Sequence, residues 1–430
     1  MDIKKLDWFL FCLAIGVLGT GFFLTLIFSP NHANDSGNIT LVFAQWWQDE
    51  LEKDTLEAII REYEALHPGV TLRLVHRPYD VLAEELLNPA EKAPPPDILG
   101  LDSHWLYELI RMDMLEPLES YTRGEPALDQ ANLFPEEPPG EHKKWALPLI
   151  SFMAPLFYNS ALLEAAGFDR PPKTRGDFLA YAKALTDPPA GIYGMTLALG
   201  PENPQGLYRD IFSWIWASGV EFVPERALDF TDPAVVETLD FLNRLYQEGV
   251  LSPASFTKTE EEKRREFMEG RAAMMVGSIP EIHRIMEGQP TLRFGISTIP
   301  SVDTYPDRPV FGLTSWYAGI SRESLHKEEA WAFLSFLAER RSFLAAMAHA
   351  VPGSGDEPGE TAGENFLYTK AYDMYTAGAA ADRFAGIPKI KELETILREE
   401  LTAMFEGKRP PPETARAIQQ RRDALGTVQE

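Results

Sequence analysis

Few architectures accept the pattern that runs from residue 39 to residue 101. Ile39 to Phe43 is apolar and β-rich, and Leu56, Ile59, Ile60, Tyr63 and Leu66 then recur at three- and four-residue spacing. His67-Pro68-Gly69 breaks that helix, Val70 to Val75 resumes as a strand, and Pro94-Pro95-Pro96 leads into a third short strand, Ile98 to Leu101. A helix with one apolar stripe must bury it, and between successive strands the surface on offer is the face of a sheet. The order therefore predicts an α/β fold with a parallel sheet. Further on, Thr174 is placed to cap a helix from Asp177 to Leu185, with Asp177 completing a capping box. Thr231-Asp232-Pro233 starts another, with proline in its first turn and Val236, Leu239, Leu242 and Leu245 as its apolar face, until Gly249 ends it. Ala350 to Asn365, rich in Gly, Pro, Glu and Ser, reads as a loop.

The first 38 residues stand outside that pattern. Trp8 to Phe28 is a run of 21 residues without a charge. It is long enough to cross a hydrocarbon core as a helix and longer than most signal-peptide cores. Lys4 and Lys5 precede it, and no Lys or Arg follows until Lys53, so the positive-inside rule exports everything after it. Cys12 follows Phe11 early in the run, unlike a lipoprotein cysteine. The best cleavage site, Asn31-His32-Ala33, lacks a small residue two positions before Ala33. The first reading is an uncleaved anchor on the outer face of the cell membrane, and the second is a cleaved signal peptide. Ser29 to Asn38 reads as a polar tether.

Composition narrows the chemistry. A net charge of −25 repels phosphate backbones, so nucleic acid is excluded as a general partner. A single cysteine and eight scattered histidines offer no metal-ligand set, and no Gly-x-Ser-x-Gly, His-Glu-x-x-His or Gly-x-x-x-x-Gly-Lys motif occurs. No catalytic residue, metal site or cofactor is expected. A glycosidase with two acids has no motif to exclude it, and it stays as a second reading.

The positive signal is aromatic. Trp46 and Trp47 follow the first strand, and Asp102-Ser103-His104-Trp105 follows the third, at the carboxyl ends where open α/β sheets bind ligands. Trp214 and Trp216 lie within Ile211 to Gly219, and Trp316-Tyr317 follows the apolar run Val310 to Leu313. A sugar ring presents an apolar face that stacks on indole and hydroxyls that need paired donors and acceptors. A lone tryptophan is more often a packing residue. Trp331, Trp145 and Trp8 are accordingly assigned to core, lobe junction and membrane boundary. Of Trp46 and Trp47, one is expected to pack inward and the other to face a cleft. Trp214 and Trp216 share a side if extended and diverge if helical. His104 fits a local hydrogen bond as well as it fits a ligand contact.

In order along the chain, a longer set of motifs resembles the family 1 extracellular solute-binding proteins of ABC importers, which include maltose- and glycerol-phosphate-binding proteins. The carriers are Ile39-Thr-Leu-Val-Phe-Ala-Gln-Trp-Trp, Tyr63-Glu-Ala-Leu-His-Pro-Gly-Val, Pro96-Asp97-Ile-Leu, Trp145-Ala-Leu-Pro and Leu156-Phe-Tyr-Asn159. Ala166-Gly167-Phe, Pro171-Pro-Lys-Thr174, Phe267-Met-Glu-Gly-Arg-Ala-Ala-Met274 and Phe294-Gly-Ile-Ser-Thr-Ile-Pro300 complete the set, and the match extends from about Ile39 to near Leu425.

The resemblance implies a type II periplasmic-binding-protein fold of two α/β lobes joined by crossing hinge segments. Residues 39–149 with 311–362 would form the first lobe, and 150–310 with 363–430 the second. Crossings are implied near Pro148 to Ser151, near Pro309 to Thr314, and after Ala350. The family's ligand contacts carry over to Trp46, Trp47, Asp102 and Ser103 in the first lobe, and to Tyr208, Trp214, Trp216 and Ser278 in the second, with Trp316 beside a crossing. Implied partners are a small, sugar-like solute and the membrane subunits of a permease. A sensor that presents ligand state to a membrane receptor is an alternative. Maltose-type members carry an aromatic platform where this chain has Gly277-Ser278-Ile279-Pro280.

Overall fold

The computed structural model describes residues 38–88, 95–122, 144–200, 204–219, 229–301, 310–353, 366–382 and 389–426. The N-terminal segment and most of the loop expected after Ala350 lie outside them. Among the described residues no helix is long and apolar enough to cross a membrane.

Strands form where apolar and β-branched residues run together. The first three are β1 (Ile39–Gln45), β2 (Val70–His76) and β3 (Ile98–Asp102). They pair in parallel around β1, with Ile39 opposite Val70 and Phe43 opposite Ile98. The helix Thr55–Leu66 returns the chain between β1 and β2 and buries Leu56, Ile59, Ile60 and Tyr63 of the stripe read from spacing, while Leu66 at its end is exposed. A second helix, Tyr79–Leu87, connects β2 to β3 where the sequence reading has only a turn; Leu82, Ala83 and Leu86 bury it.

The remaining strands are β4 (Leu147–Met153), β5 (Leu156–Asn159), β6 (Tyr193–Thr196), β7 (Ala272–Val276), β8 (Phe294–Ser297), β9 (Val310–Ile320), β10 (Val351–Pro352) and β11 (Ala379–Asp382). The larger sheet has the order β10-β4-β9-β3-β1-β2, with β11 pairing the start of β9. It is mixed, not parallel as expected. β9 enters from far along the chain and lies antiparallel between β3 and β4, with Leu101 opposite Tyr317 and Phe152 opposite Thr314. The smaller sheet, β6-β7-β5-β8, is mixed as well.

Two apolar cores form. Phe43, Leu101, Trp47, Leu147 and Phe333 share one with Phe157, Met275 and Ile296 from β5, β7 and β8, and Phe178, Trp214, Leu242 and Leu397 belong to the other. The helix Arg175–Ala184 is capped by Thr174, whose Oγ1 accepts from Asp177 N at 3.0 Å, as expected. Asp232 caps Pro233–Gln247 by accepting from Ala234 N at 2.8 Å. Between the sheets the chain has little slack. β4 leaves the larger sheet at Met153 and β5 enters the smaller at Leu156, so Ala154 and Pro155 are all that joins them.

Candidate ligand-binding site

A small pocket open to solvent lies where the end of β4 and the start of β9 meet the helical run Pro204–Ala217. Phe152 and Ala154 come from the β4 crossing, and Gly312, Leu313 and Thr314 from β9. Tyr208, Arg209, Ser213 and Trp216 come from the helical run, and Ser278 from the turn after β7. The wall is therefore three aromatic faces, several hydroxyls and one guanidinium.

Local sequence explains how each side arrives there. The helical run contains a π-helical turn, Tyr208–Phe212, before the last turn Ser213–Ala217. One extra residue per turn rotates the residues that follow, a feature frequent at functional sites. Tyr208, Arg209, Ser213 and Trp216 thereby reach the cavity, whereas Asp210 is fully buried behind them. Gly312 is needed opposite Trp216, because a Cβ there would run into the indole ring.

Beside the cavity stands an aromatic wall on the larger sheet. Trp316 tilts against Phe152 with ring centroids 5.0 Å apart and lies parallel to Trp47 at 5.6 Å, with 2° between planes. Trp46 meets Trp47 at 5.9 Å, Trp316 at 5.7 Å, Tyr79 at 5.3 Å and Trp105 at 4.8 Å. Gly100 lets Trp47 lie across β3: a Cβ there would sit 2.9 Å from Gln45 Cβ and 3.2 Å from the indole. Neither Trp46 nor Trp47 is open, at 2% and 0% exposure, although one of the two was expected to face a cleft.

A polar chain links the two sides. Asp102 caps the helix Ser103–Arg111, its Oδ1 accepting from His104 N at 2.9 Å and pairing with His104 Nδ1. The His104 ring lies 4.9 Å from that of Tyr208, whose hydroxyl donates to Glu394. Burial and then the charge of Glu394 push the Tyr208 phenol well above its ordinary range, and burial lifts the Glu394 carboxyl too. Ser103 is buried, and among the described residues its Oγ has no hydrogen-bond partner.

Of the nine residues singled out in the sequence, Tyr208, Trp216 and Ser278 line the cavity. Trp46, Trp47 and Trp316 form the wall, and Asp102 and Ser103 start the helix that carries His104 to Tyr208. Trp214 faces away. It packs on Phe178 at 4.9 Å and Phe241 at 5.2 Å, with Arg175 Nη2 donating to its carbonyl at 2.9 Å. The segment is helical there, so the two tryptophans diverge. Arg209, Phe152 and Thr314 were not singled out. Thr314 ends the second expected crossing and Phe152 follows the first by one residue; both pair within the larger sheet, and the chain leaves it at Ala154 and Pro155.

A two-sheet molecule with a cleft of this kind defines a binding protein whose ligand is held between two lobes. The chain's residues 49–342 match the model of the bacterial extracellular solute-binding protein family, and the chain belongs to that family. It is a solute-binding protein of the ABC-transporter type. A Brucella abortus (strain 2308) protein named as a binding protein is 24% identical over 397 residues, 91% of this chain and 94% of that protein. Among solved structures, the sugar-binding protein MalE of Xanthomonas citri superposes with a TM-score of 0.74 at 17% identity, covering 90% of this chain and 97% of that one. UgpB of Mycobacterium tuberculosis, solved with glycerophosphocholine, gives 0.70 at 17% identity over 91% and 98%.

Proposed function

We propose that this chain binds a sugar or sugar-like small solute in the cavity between its lobes and delivers it to a membrane permease by lobe closure. The observation that carries the solute class is the cavity wall. Trp216 and Tyr208, 3% and 4% exposed here, and the half-buried Phe152 border the cavity and would bare faces for the apolar side of a pyranose when the lobes open, while Ser213, Ser278, Thr314 and Arg209 would partner its hydroxyls. The names of the MalE and UgpB neighbours agree with a polyhydroxylated ligand. The site we assign comprises Tyr208, Trp216 and Ser278 at the cavity, with Trp46, Trp47, Asp102, Ser103 and Trp316 as its supporting wall. Trp214 belonged to the expected set, and its packing away from the cavity supports a core role for it.

The lobes are taken as 39–149 with 311–362 and 150–310 with 363–430, a division that the two sheets support except that β4 runs on to Met153 and β11 pairs in the larger sheet. Strand β4 carries the first crossing on to Ala154 and Pro155. A ligand touching both lobes favours the closed form by its differential affinity. The protein is read as a binder without catalysis, held at the outer face of the membrane by the segment Trp8 to Phe28.

Calorimetric titration and thermal shift against a carbohydrate panel test the reading, since a true ligand raises stability by RT ln(1 + [L]/Kd). Silence across mono- and oligosaccharides would sink the solute class. Release of chromophore from chromogenic glycosides would show an enzyme instead.

A further inference from the structure

Among the described lining residues Arg209 alone carries a charge, and that charge is countered just behind the wall. Arg209 Nη1 pairs with Glu260 Oε2 at 3.2 Å, and Glu260 Oε1 accepts from Lys263 Nζ at 3.0 Å. Lys263 in turn holds both oxygens of Asp210, at 3.0 and 3.1 Å. Asp210 follows Arg209 in the chain, so the four groups form a ring of alternating sign.

The ring is rigid. Lys263 is 1% exposed and Asp210 fully buried, and Asp210 Oδ2 also accepts from Ala198 N at 2.6 Å. Burial pulls the Lys263 ammonium down, but Asp210 and Glu260 outweigh it and hold it above its ordinary value. Thr259 and Glu262 cap the helix Glu260–Met268 reciprocally and fix Glu260 at its first position.

Resting on the sugar reading above, we infer that Glu260 is a specificity-determining residue that tunes this cavity to uncharged solutes. Arg209 has five N–H donors, so it can bind Glu260 and still donate to a sugar hydroxyl. An anionic group would compete with Glu260 for the same guanidinium and meet its charge, and like charges set close together reject the wrong partner.

The test is titration of the whole exported protein with matched probes, neutral hexoses and disaccharides and their phosphate monoesters. The wild type should favour the neutral member of a pair, and Glu260→Gln should move the affinity ratio toward the phosphorylated member by about tenfold or more. Glu260→Asp, which keeps a charge beside Lys263 but draws it back from Arg209, should move it the same way by less. In the double variant Arg209→Gln/Glu260→Gln, the shift caused by Glu260→Gln should largely disappear, the non-additivity that marks a coupled pair. Equal loss of both affinities in Glu260→Gln and Glu260→Asp, or a wild type that favours the phosphorylated probes, overturns the inference alone. A wild type that binds no probe of either kind overturns the sugar reading and the inference with it.

Discussion

The two sides of the cleft are built by different physics. On the larger sheet, Trp46, Trp47, Trp105, Trp316 and Tyr79 pack ring against ring, with Trp47 wholly enclosed. On the helical side, a π-helical turn sets Tyr208 and Arg209 at the cavity and anchors itself through Asp210, Lys263 and Glu260. Apolar packing has no preferred partner chemistry, so the first side can serve as a stiff backstop. Charge and hydrogen-bond geometry are directional, so in the site proposed above the second side would carry the discrimination among solutes.

That contrast is broken most directly at Trp47. Replacing it by alanine empties a fully buried site and should cost about 3–5 kcal/mol of stability, read from denaturant midpoints without ligand. A loss below about 1 kcal/mol would mean that the indole is a ligand platform and the two sides are alike. Next in size is Gly312→Ala. Its new Cβ meets Trp216, which must shift into the cavity or strain the strand. A cost of about 1–3 kcal/mol is expected, together with weaker binding of whichever sugar the wild type takes. Unchanged binding with unchanged stability would show that Trp216 is free to move. Tyr208→Phe keeps the ring on His104 and removes the hydroxyl from Glu394. It should cost about 1 kcal/mol and affect solute selectivity more than stability.

Legibility in the sequence followed the range of the interaction. β1, β2 and β3 and the helix Thr55–Leu66 could be read because periodicity is a local property, as were the caps at Thr174 and Asp232. The helix Tyr79–Leu87 was missed although Leu82 and Leu86 carried its spacing, since nine residues give few repeats to count. The antiparallel place of β9 in the middle of the sheet was not legible, because pairing Ile98 with Ile320 depends on contacts more than two hundred residues apart. The tryptophans after strands could be found by position, but which way each points could not. Trp214 and Trp216 were separated only by the helix that carries them. Arg209 stood next to a residue already singled out. Nothing local shows that a π-helical turn will send it to the cavity and its neighbour Asp210 into the core.

The smallest expected effect is the share of the pH dependence that comes from Glu266, on the helix that carries Lys263. Glu266 Oε2 accepts from Lys258 Nζ at 2.7 Å, Thr196 Oγ1 at 2.7 Å and Ser252 Oγ at 2.9 Å, and Arg271 stands 3.7 Å from its other oxygen. Burial lifts this carboxyl, yet the hydrogen bond from Lys258, Thr196, the Lys258 charge and Ser252 outweigh that and hold it below its ordinary 4.5. A depressed folded-state pKa means that the unfolded chain takes up the proton first as pH falls. The stabilisation is therefore complete above 4.5 and is lost as pH drops through the lower folded value. Unfolding curves of the wild type should show this acid limb, and Glu266→Gln should flatten it while leaving the difference between Trp47→Ala and its parent unchanged. Glu266 bonds to Lys258, Thr196 and Ser252 while Trp47 packs on Phe43 and Trp316, so the two have none of these partners in common and their effects should add. If Glu266→Gln instead alters the cost of Trp47→Ala, the wall and the helical side are one cooperative unit and the contrast between them fails.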